Sequence, residues 1–483
     1  MYKQLFFLIL INVLFISCKE QVKDVQVIDE MPPIMPDYTG VTIPSTIAPL
    51  NFTLSGAFEK MHVVIEGREN EKIEVQGRKS ISIPVQAWHR LLDKNKGSTL
   101  NVAVSVKREG KWFQYKTFSL YVSNYPIDYG LVYRLIAPGY EIYSKMGIYQ
   151  RNLSTFKQTT LLENTFIPGS CVNCHSFNQA DPESMSMHIR GEYGGTMLKT
   201  SGIMDIVDLK TKEASGRGVY PYWHPSGKYV AYSMNDTRQV FHAADSKKIE
   251  VIDLSSDLTV YDIEQNKVIT TPLLQTKGFE TFPAFSPDGQ SLYFCLSDYT
   301  ELPVDYEEVR YNLCRIDFNP ETGTFGNKID TLVHASAVNK SVSFPRPSYD
   351  GKYIMYTLAD YGNFSIWHKE ADLWLLNLQN GESRALTEVN SKDTESYHSW
   401  SSNNRWFVFS SRRDDGLYTR LYVASIDEEG NVSKPFKLPE EKPAVHDPSF
   451  YSFNIPEFVS APVKFDFKQM EKKLLKKEFK QAN

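Results

Sequence analysis

Between residues 42 and 125, apolar and polar positions alternate in short runs, SISIPVQAW, TLNVAVSVKREG and KWFQYKTFSLYVS, broken by turn residues. Alternation at period two predicts half-buried strands, and their density predicts a small β-sandwich. Arg108, Glu109, Gly110 and Lys111 read as a hairpin turn ahead of Trp112. From residue 126 to 463 the strands recur in units. Each unit opens on a tight turn and runs into an apolar strand. WHPSGKY from Trp223 precedes VAYS, and FSPDGQS from Phe285 precedes LYFCLS. PSYDGKY from Pro347 precedes IMYTL, and WSSNNRW from Trp400 precedes FVFSS.

Gly227, Gly289, Gly351 and Asn404 hold the turn position that needs a positive φ, and they follow one another at 62, 62 and 53 residues. A period of this size with several strands per unit predicts propeller blades. The motif resembles the WD-like repeat of TolB-type β-propellers, in which a turn close to W-S-P-D-G-K leads into a strand. SMSMHIRG, GTMLKTSG and IMDIVDLK supply a further, divergent unit. HDPSFYSFNIPEFV near the C-terminus would join LVYRLIAP and MGIYQRNL in one blade, closing the ring and removing sheet edges. The expected fold class is all-β, a six-bladed TolB-like β-propeller at 126–463 behind an Ig-like β-sandwich domain at 42–125. Seven blades is the alternative. The tail at 464–483 has seven Lys against three acidic residues. Phe467, Met470 and Leu474 repeat at helical spacing there, which predicts a solvated helix, with contact to an anionic membrane as the alternative.

The extreme N-terminus changes the compartment. Lys3 precedes an apolar run from Leu5 to Ile16, too short to span a bilayer and suited to a signal peptide, 1–17. The run ends in Phe15-Ile16-Ser17-Cys18, which resembles a bacterial lipobox with Cys18 as the lipidated residue. An ordinary secretory signal is the alternative. Lys19 in place of an aspartate favours an outer-membrane lipoprotein, facing the periplasm or the surface. Residues 18–41, charged and then Pro-rich, read as a tether. A net charge of −5 gives no reason to expect a nucleic-acid partner.

In that exported compartment lies GSCVNCHSF, with Cys171, Cys174 and His175 as C-x-x-C-H. Two thiols at this spacing can form thioethers to the haem vinyl groups, and the adjacent His can ligate the iron. A zinc site wants a second ligand pair, and Cys295 and Cys314 lie far along the chain in strand patterns. A redox pair wants a βαβ unit, and none is evident. A plain Cys171–Cys174 disulfide is the structural alternative. For the sixth iron ligand His188 is favoured, then Met185, with a five-coordinate iron also open. In a strand Met185 and Met187 share one face and His188 takes the other, and core packing is an equal reading of the methionines. The haem is expected in an insertion near 168–190.

The run from PIDYGLVYRLIAPGYEIYSKMGIYQRNL through CVNCHSF, GVYPYWHPSGKY, ETFPAFSPDG and DYGNFSIWHKEADLWLLNL is similar to a family of Bacteroidota lipoproteins. Their TolB-like propeller carries a single C-x-x-C-H site. The resemblance implies fold and haem c, and brings no reaction. The leading expectation is a lipid-anchored haem protein that exchanges single electrons with a redox or envelope partner of unknown identity. The alternative is a propeller that binds a protein, glycan or cell-wall partner, its haem structural or sensory. A haem- or metal-dependent enzyme comes third. No G-x-S-x-G elbow is present, which argues against peptidases that couple a propeller to a hydrolase. His224, His242, His368 and His398 fall near blade turns and loops, where hydrogen-bond roles outweigh metal binding. Arg346, Arg412 and Arg413 read as solvated or salt-bridged, with binding of a carboxylate or a partner loop as the alternative. Cys295 and Cys314 sit in neighbouring strands, as a disulfide or as two buried thiols.

Overall fold

The structure is a computed structural model and describes residues 22–137, 145–167, 169–212, 214, 216, 218–242, 244–245, 247–444 and 449–483. The expected signal peptide, 1–17, and the lipidation site Cys18 lie outside the described residues. The N-terminal region is a seven-stranded mixed sheet with a separate two-stranded ladder of Ile34–Met35 and Thr53–Leu54, not two facing antiparallel sheets of a sandwich. Lys60–Glu66 lies between Ser98–Arg108 and Lys72–Gly77, all antiparallel. Gln26–Val27 and Thr42–Ile43 add parallel edges on Lys111–Gln114 and Phe118–Val122. The stretch from 26 to 41 is therefore laid onto the domain instead of hanging as a tether. Its Ile34, Tyr38 and Val41 are buried. SISIPVQAW, expected as a strand, leads into the helix Val85–Lys94. Pro84 caps it at φ −63, and Trp88, Leu91 and Leu92 fall three and four apart on its buried face.

The rest of the chain is mainly β in a β-propeller arrangement. Four-stranded antiparallel sets follow one another, each starting on an inner strand: Cys171–Asn178, Gly218–Trp223, Phe279–Phe285, Ser341–Pro347 and Glu395–Trp400. One further set takes its inner strand, Ser452–Val459, from near the C-terminus and its other three, Gly130–Ile136, Met146–Asn152 and Gln158–Glu163, from before the first repeat. Each inner strand packs against the next, and Ser452–Val459 returns to Cys171–Asn178. The segment 168–190 is thus no insertion. Cys171–Asn178 and Asp181–Arg190 are the first two strands of a regular set. One core cluster runs from Trp88 and Val102 of the mixed sheet to Trp406, Val423 and Phe436 of the propeller region, so the two regions share a core.

The C-terminal helix Phe467–Leu475 is not solvated all round. Met470 and Leu474 are fully buried in the core beside Met204 and Ile206, and Lys480–Gln481 pairs in parallel with the strand Ile203–Asp208. Helical spacing of apolar residues here marks a docking face.

The turn positions behave as their spacing requires. Gly227, Gly289, Gly351 and Asn404 have φ of 73, 72, 71 and 55. Two of them give a paired prediction. A Cβ on Gly289 would lie 2.2 Å from His224 Nε2, whereas one on Gly351 meets nothing within 4 Å. His224 also stitches two repeats together, its Nε2 3.1 Å from the Gly289 carbonyl oxygen. Gly351→Ala should cost about 1 kcal/mol from backbone strain alone. Gly289→Ala should cost at least ~1 kcal/mol more because a buried hydrogen bond is displaced. Urea denaturation of the two variants checks the difference, and equal losses would dismiss the stitch.

Candidate functional site

The inner strands share a device that positions every side chain of the central channel. Each carries a bulge where the register shifts by one residue. The bulge residues are Cys174, Tyr220, Phe282, Phe344, Tyr397 and Ile455, with φ of 40, 48, 52, 52, 49 and 52. Non-glycine residues pay roughly 1–2 kcal/mol each for this left-handed conformation, so the ring imposes it. All six line one cavity on the channel axis. The residue after each bulge is Pro221, Pro283, Pro345, Pro456, His175 or His398. Proline fits there because a bulge leaves its backbone nitrogen outside the ladder.

Cys174 thus occupies the position that holds an aromatic ring or Ile455 elsewhere, and it is 3 % exposed. His175 occupies the proline position. Its Nε2 lies 3.3 Å from the carbonyl oxygen of Val132 on the neighbouring set, and its Nδ1 has no hydrogen-bond partner among the described residues. Burial pushes its pKa down to about 3, so the imidazole is neutral. His398 repeats this arrangement. Its Nε2 lies 2.9 Å from the Met355 carbonyl oxygen, its Nδ1 is equally unpartnered among the described residues, and burial again takes its pKa to about 3. Both imidazoles line the axial cavity.

Cys171 lies nearer the opening. It lines a second cavity of about 150 Å³ that shares Tyr220, Tyr397 and Ile455 with the axial one. Its Sγ is 3.5 Å from Met146 Sδ. Burial raises the pKa of this thiol, and the nearby Arg134 and Arg190 oppose the rise. Cys171 and Cys174 are both free.

The expected sixth ligands go elsewhere. Met185 is fully buried with Val172, Phe177 and Met187 in an apolar core. His188, on the other face of the strand, lines a separate cavity with Lys210, Asp236 and Asp257. The alternation of faces is as expected, and the residue opposite His175 in the ladder is Met187, on the Met185 face. The imidazole that shares the axial cavity with His175 is His398. Cys295 and Cys314 also separate. Cys295 stands opposite Leu313 in the ladder and Cys314 opposite Phe294, so the two thiols point to opposite faces of one sheet and cannot bridge. Arg346 pairs with Glu457 at 3.1 Å and Arg413 with the buried Glu395 at 2.9 Å, while the buried Arg412 donates to the Ile366 and Leu417 carbonyls and lines the outer cavity. His242 sits at the tip of a long hairpin.

That hairpin, Tyr229–Phe241 with Ile249–Asp262, extends beyond its sheet and lies over the opening. Thr237, Gln239, Phe241, Ile249 and Val251 line the outer cavity. Its other face is held by buried polar contacts. Tyr361 Oη donates to Glu250 at 2.8 Å, and His368 Nε2 lies 3.3 Å from the same carboxylate. His368 Nδ1 reaches Glu370 at 3.2 Å. Asp253 accepts from Asn235 at 2.7 Å and also from Asn363.

A covalently held haem asks for two free thiols and a neutral imidazole with a free nitrogen. Cys171, Cys174 and His175 offer that donor set, so the residues fit the group in kind. The axial cavity itself encloses only about 30 Å³, room for a water or so. The space beside the donors lies on the side of Cys171, under the hairpin. Among the described residues no cluster of three or more His, Cys, Asp or Glu could hold a bare metal ion.

No family model and no curated protein matches the chain. Among solved structures it is similar to prolyl oligopeptidase B from Galerina marginata, at 10% identity over 67% of this chain and 41% of that one, with a TM-score of 0.35. A prolyl endopeptidase is similar at 13% identity over 64% and 42%, with a TM-score of 0.36. A DUF4784 family protein from Bacteroides caccae is similar at 9% identity over 76% and 97%, with a TM-score of 0.28. The chain's match spans about two fifths of each peptidase. Likeness this distant carries no argument about activity.

Proposed function

We propose that the chain is an exported, lipid-anchored protein that carries one c-type haem and exchanges single electrons with a partner docked on the propeller. Under this reading the ring has six TolB-like blades. Cys171 and Cys174 form the thioethers, and His175 is the iron ligand. The observation that carries the reading is the donor set itself, with two free thiols beside a buried neutral imidazole that has an unpartnered nitrogen, all opening onto one channel. When bound, haem iron supplies one-electron chemistry. The chain's own residues keep that imidazole neutral, wall the axial cavity with aromatic rings, and line the outer cavity with the hairpin. His398 is the second imidazole within the same cavity and replaces His188 and Met185 as the proposed further ligand.

A second reading has its own observation. His398 reproduces the contacts of His175 without any cysteine before it, as a purely structural stitch between blades would. The protein would then be a propeller binding module whose ligand enters at the opening.

The deciding experiment is a pyridine haemochrome spectrum of the denatured chain after expression in an exporting host with haem-maturation machinery, beside Cys174→Ala. A covalent c-type band that disappears in the variant is the expected result. Well-folded wild-type protein without haem, from a host that matures other c-type cytochromes, would leave the binding module.

A further inference from the structure

The C-terminal helix Phe467–Leu475 turns two unlike faces to its surroundings. Met470 and Leu474 are buried in the core of the adjoining sheets. At about 3.6 residues per turn, Lys468, Lys472 and Leu475 fall on the opposite side. Both of these lysines are exposed, as is Lys464 just ahead of the helix, and none of the three makes an ion pair among the described residues. Three other lysines of the tail do find acids. Lys473 pairs with Asp205 at 3.1 Å, Lys476 with Glu478 at 3.9 Å and Lys477 with Glu192 at 3.7 Å. Lys472 has a lysine four positions away on each side, Lys468 and Lys476, a spacing that repels along one helix face. An anionic partner would relieve that repulsion. Large apolar side chains stand exposed around the row. Leu475 is 43 % exposed, Phe166 42 % and Ile203 64 %. Phe166 leans on Phe467 at the start of the helix, their ring centroids 4.5 Å apart. Ile203 precedes Met204, whose carbonyl accepts from Lys473.

We propose that this face docks on an anionic lipid surface, with Lys464, Lys468 and Lys472 meeting the headgroups and Leu475, Phe166 and Ile203 reaching the acyl boundary. Lysines without acids attract any polyanion. The apolar side chains among them select the partner, because they gain from leaving water at a lipid boundary and gain little against a soluble polyanion. The helix stays on the protein while it docks, since Met470 and Leu474 already pack the protein core. The contact holds whether or not Cys18 carries lipid and whether or not the chain carries haem.

The test is co-sedimentation with lipid vesicles, using the chain from residue 18 onward with Cys18→Ser so that no acyl group contributes. Vesicles of phosphatidylcholine with about one third phosphatidylglycerol should retain the chain about 10-fold better than phosphatidylcholine alone at about 0.05 M salt, and about 0.5 M salt should abolish the difference. Lys468→Glu combined with Lys472→Glu should remove that gain, while Lys111→Glu, at an exposed lysine of the mixed sheet, leaves it intact. Leu475→Ser should weaken vesicle binding by about 3-fold or more and leave capture on heparin beads unchanged. Equal retention of the wild-type chain on both kinds of vesicle overturns the proposal without relying on any variant. So does anionic-vesicle binding that survives the double charge reversal in protein whose circular dichroism and melting temperature match the wild type. Capture on heparin as strong as on anionic vesicles, with Leu475→Ser without effect on either, assigns the face to a soluble polyanion and overturns the lipid surface.

Discussion

Phe344→Ala should lower the unfolding free energy by about 3–5 kcal/mol and expose the thiol of Cys174. Phe344 is the hub of the axial plug. Its ring centroid is 4.1 Å from that of Phe282, 4.8 Å from Tyr397 and 6.2 Å from Tyr220, and Tyr220 in turn packs on Phe282 at 4.4 Å. Removing the ring deletes contacts on three sides at once. The bulge holds the backbone at φ 52, so the neighbouring strands are poorly placed to collapse into the gap. The residual cavity adjoins Cys174, which lines the same space. Two measurements check this. Chemical denaturation reads the stability loss. Labelling with a small thiol reagent, localised by mass spectrometry, reads Cys174 against Cys314, which is buried in a separate core cluster without the plug rings. Cys174 should become reactive while Cys314 stays protected. A stability loss under about 1 kcal/mol, or unchanged labelling, would mean that the rings do not act as one plug.

Much of this arrangement was legible in the sequence, and the parts that were not have specific physical reasons. The turn residues announced the repeats because only glycine or asparagine sits comfortably at φ near 70, so Gly227, Gly289, Gly351 and Asn404 stand out. The bulges did not announce themselves, because Phe282 or Tyr397 in a left-handed conformation looks like an ordinary apolar strand residue. The available signal was the pair formed with the next residue, Tyr220-Pro221, Phe282-Pro283, Phe344-Pro345 and Ile455-Pro456, with Tyr397-His398 and Cys174-His175 in register. That register would have placed Cys174 and His175 on an inner strand and paired His175 with His398. Period two correctly put Met185 and His188 on opposite faces. It could not say which neighbour each face would meet, since that depends on packing between strands far apart in the chain. The helix at Val85–Lys94 was hidden because its buried residues come only after a short alternating lead, where both periods fit. Arg134 and Arg190 carried no motif at all and became noticeable only when the ring brought them to one opening.

The hairpin over that opening should be held by a latch that weakens as pH rises. His368 is fully buried between two carboxylates, Glu250 on the hairpin and Glu370 on its own loop, with Lys247 3.6 Å from Glu370 and 4.1 Å from the centroid of the Tyr361 ring. Burial opposes charging this imidazole, but the hydrogen bonds to Glu250 and Glu370 outweigh it and raise the pKa above the ordinary 6.5. A raised pKa means that the folded state favours the proton, so the latch is at full strength below pH 6.5 and is lost as pH climbs through the raised value. Glu370 sets the acid limit. Burial opposes its ionisation, yet the hydrogen bond from His368 and its own loop take its pKa from 4.5 to about 2, so its share is present above pH 4.5 and fades below. The window of greatest closure therefore runs from about 4.5 to 6.5. Amide exchange at Thr237–Phe241 and Ile249–Val251, corrected for intrinsic rates, should show protection falling between pH 6 and pH 9, while the strand Tyr353–Ala359 stays level. His368→Ala leaves the buried carboxylate of Glu250 and the half-buried one of Glu370 facing an unfilled gap. It should cost the closed hairpin roughly 3 kcal/mol, about 100-fold in protection, and flatten the pH profile. A wild-type profile already flat across that range would show that protonated His368 does not hold the hairpin, and that Tyr361, Asn235 and Asn363 suffice.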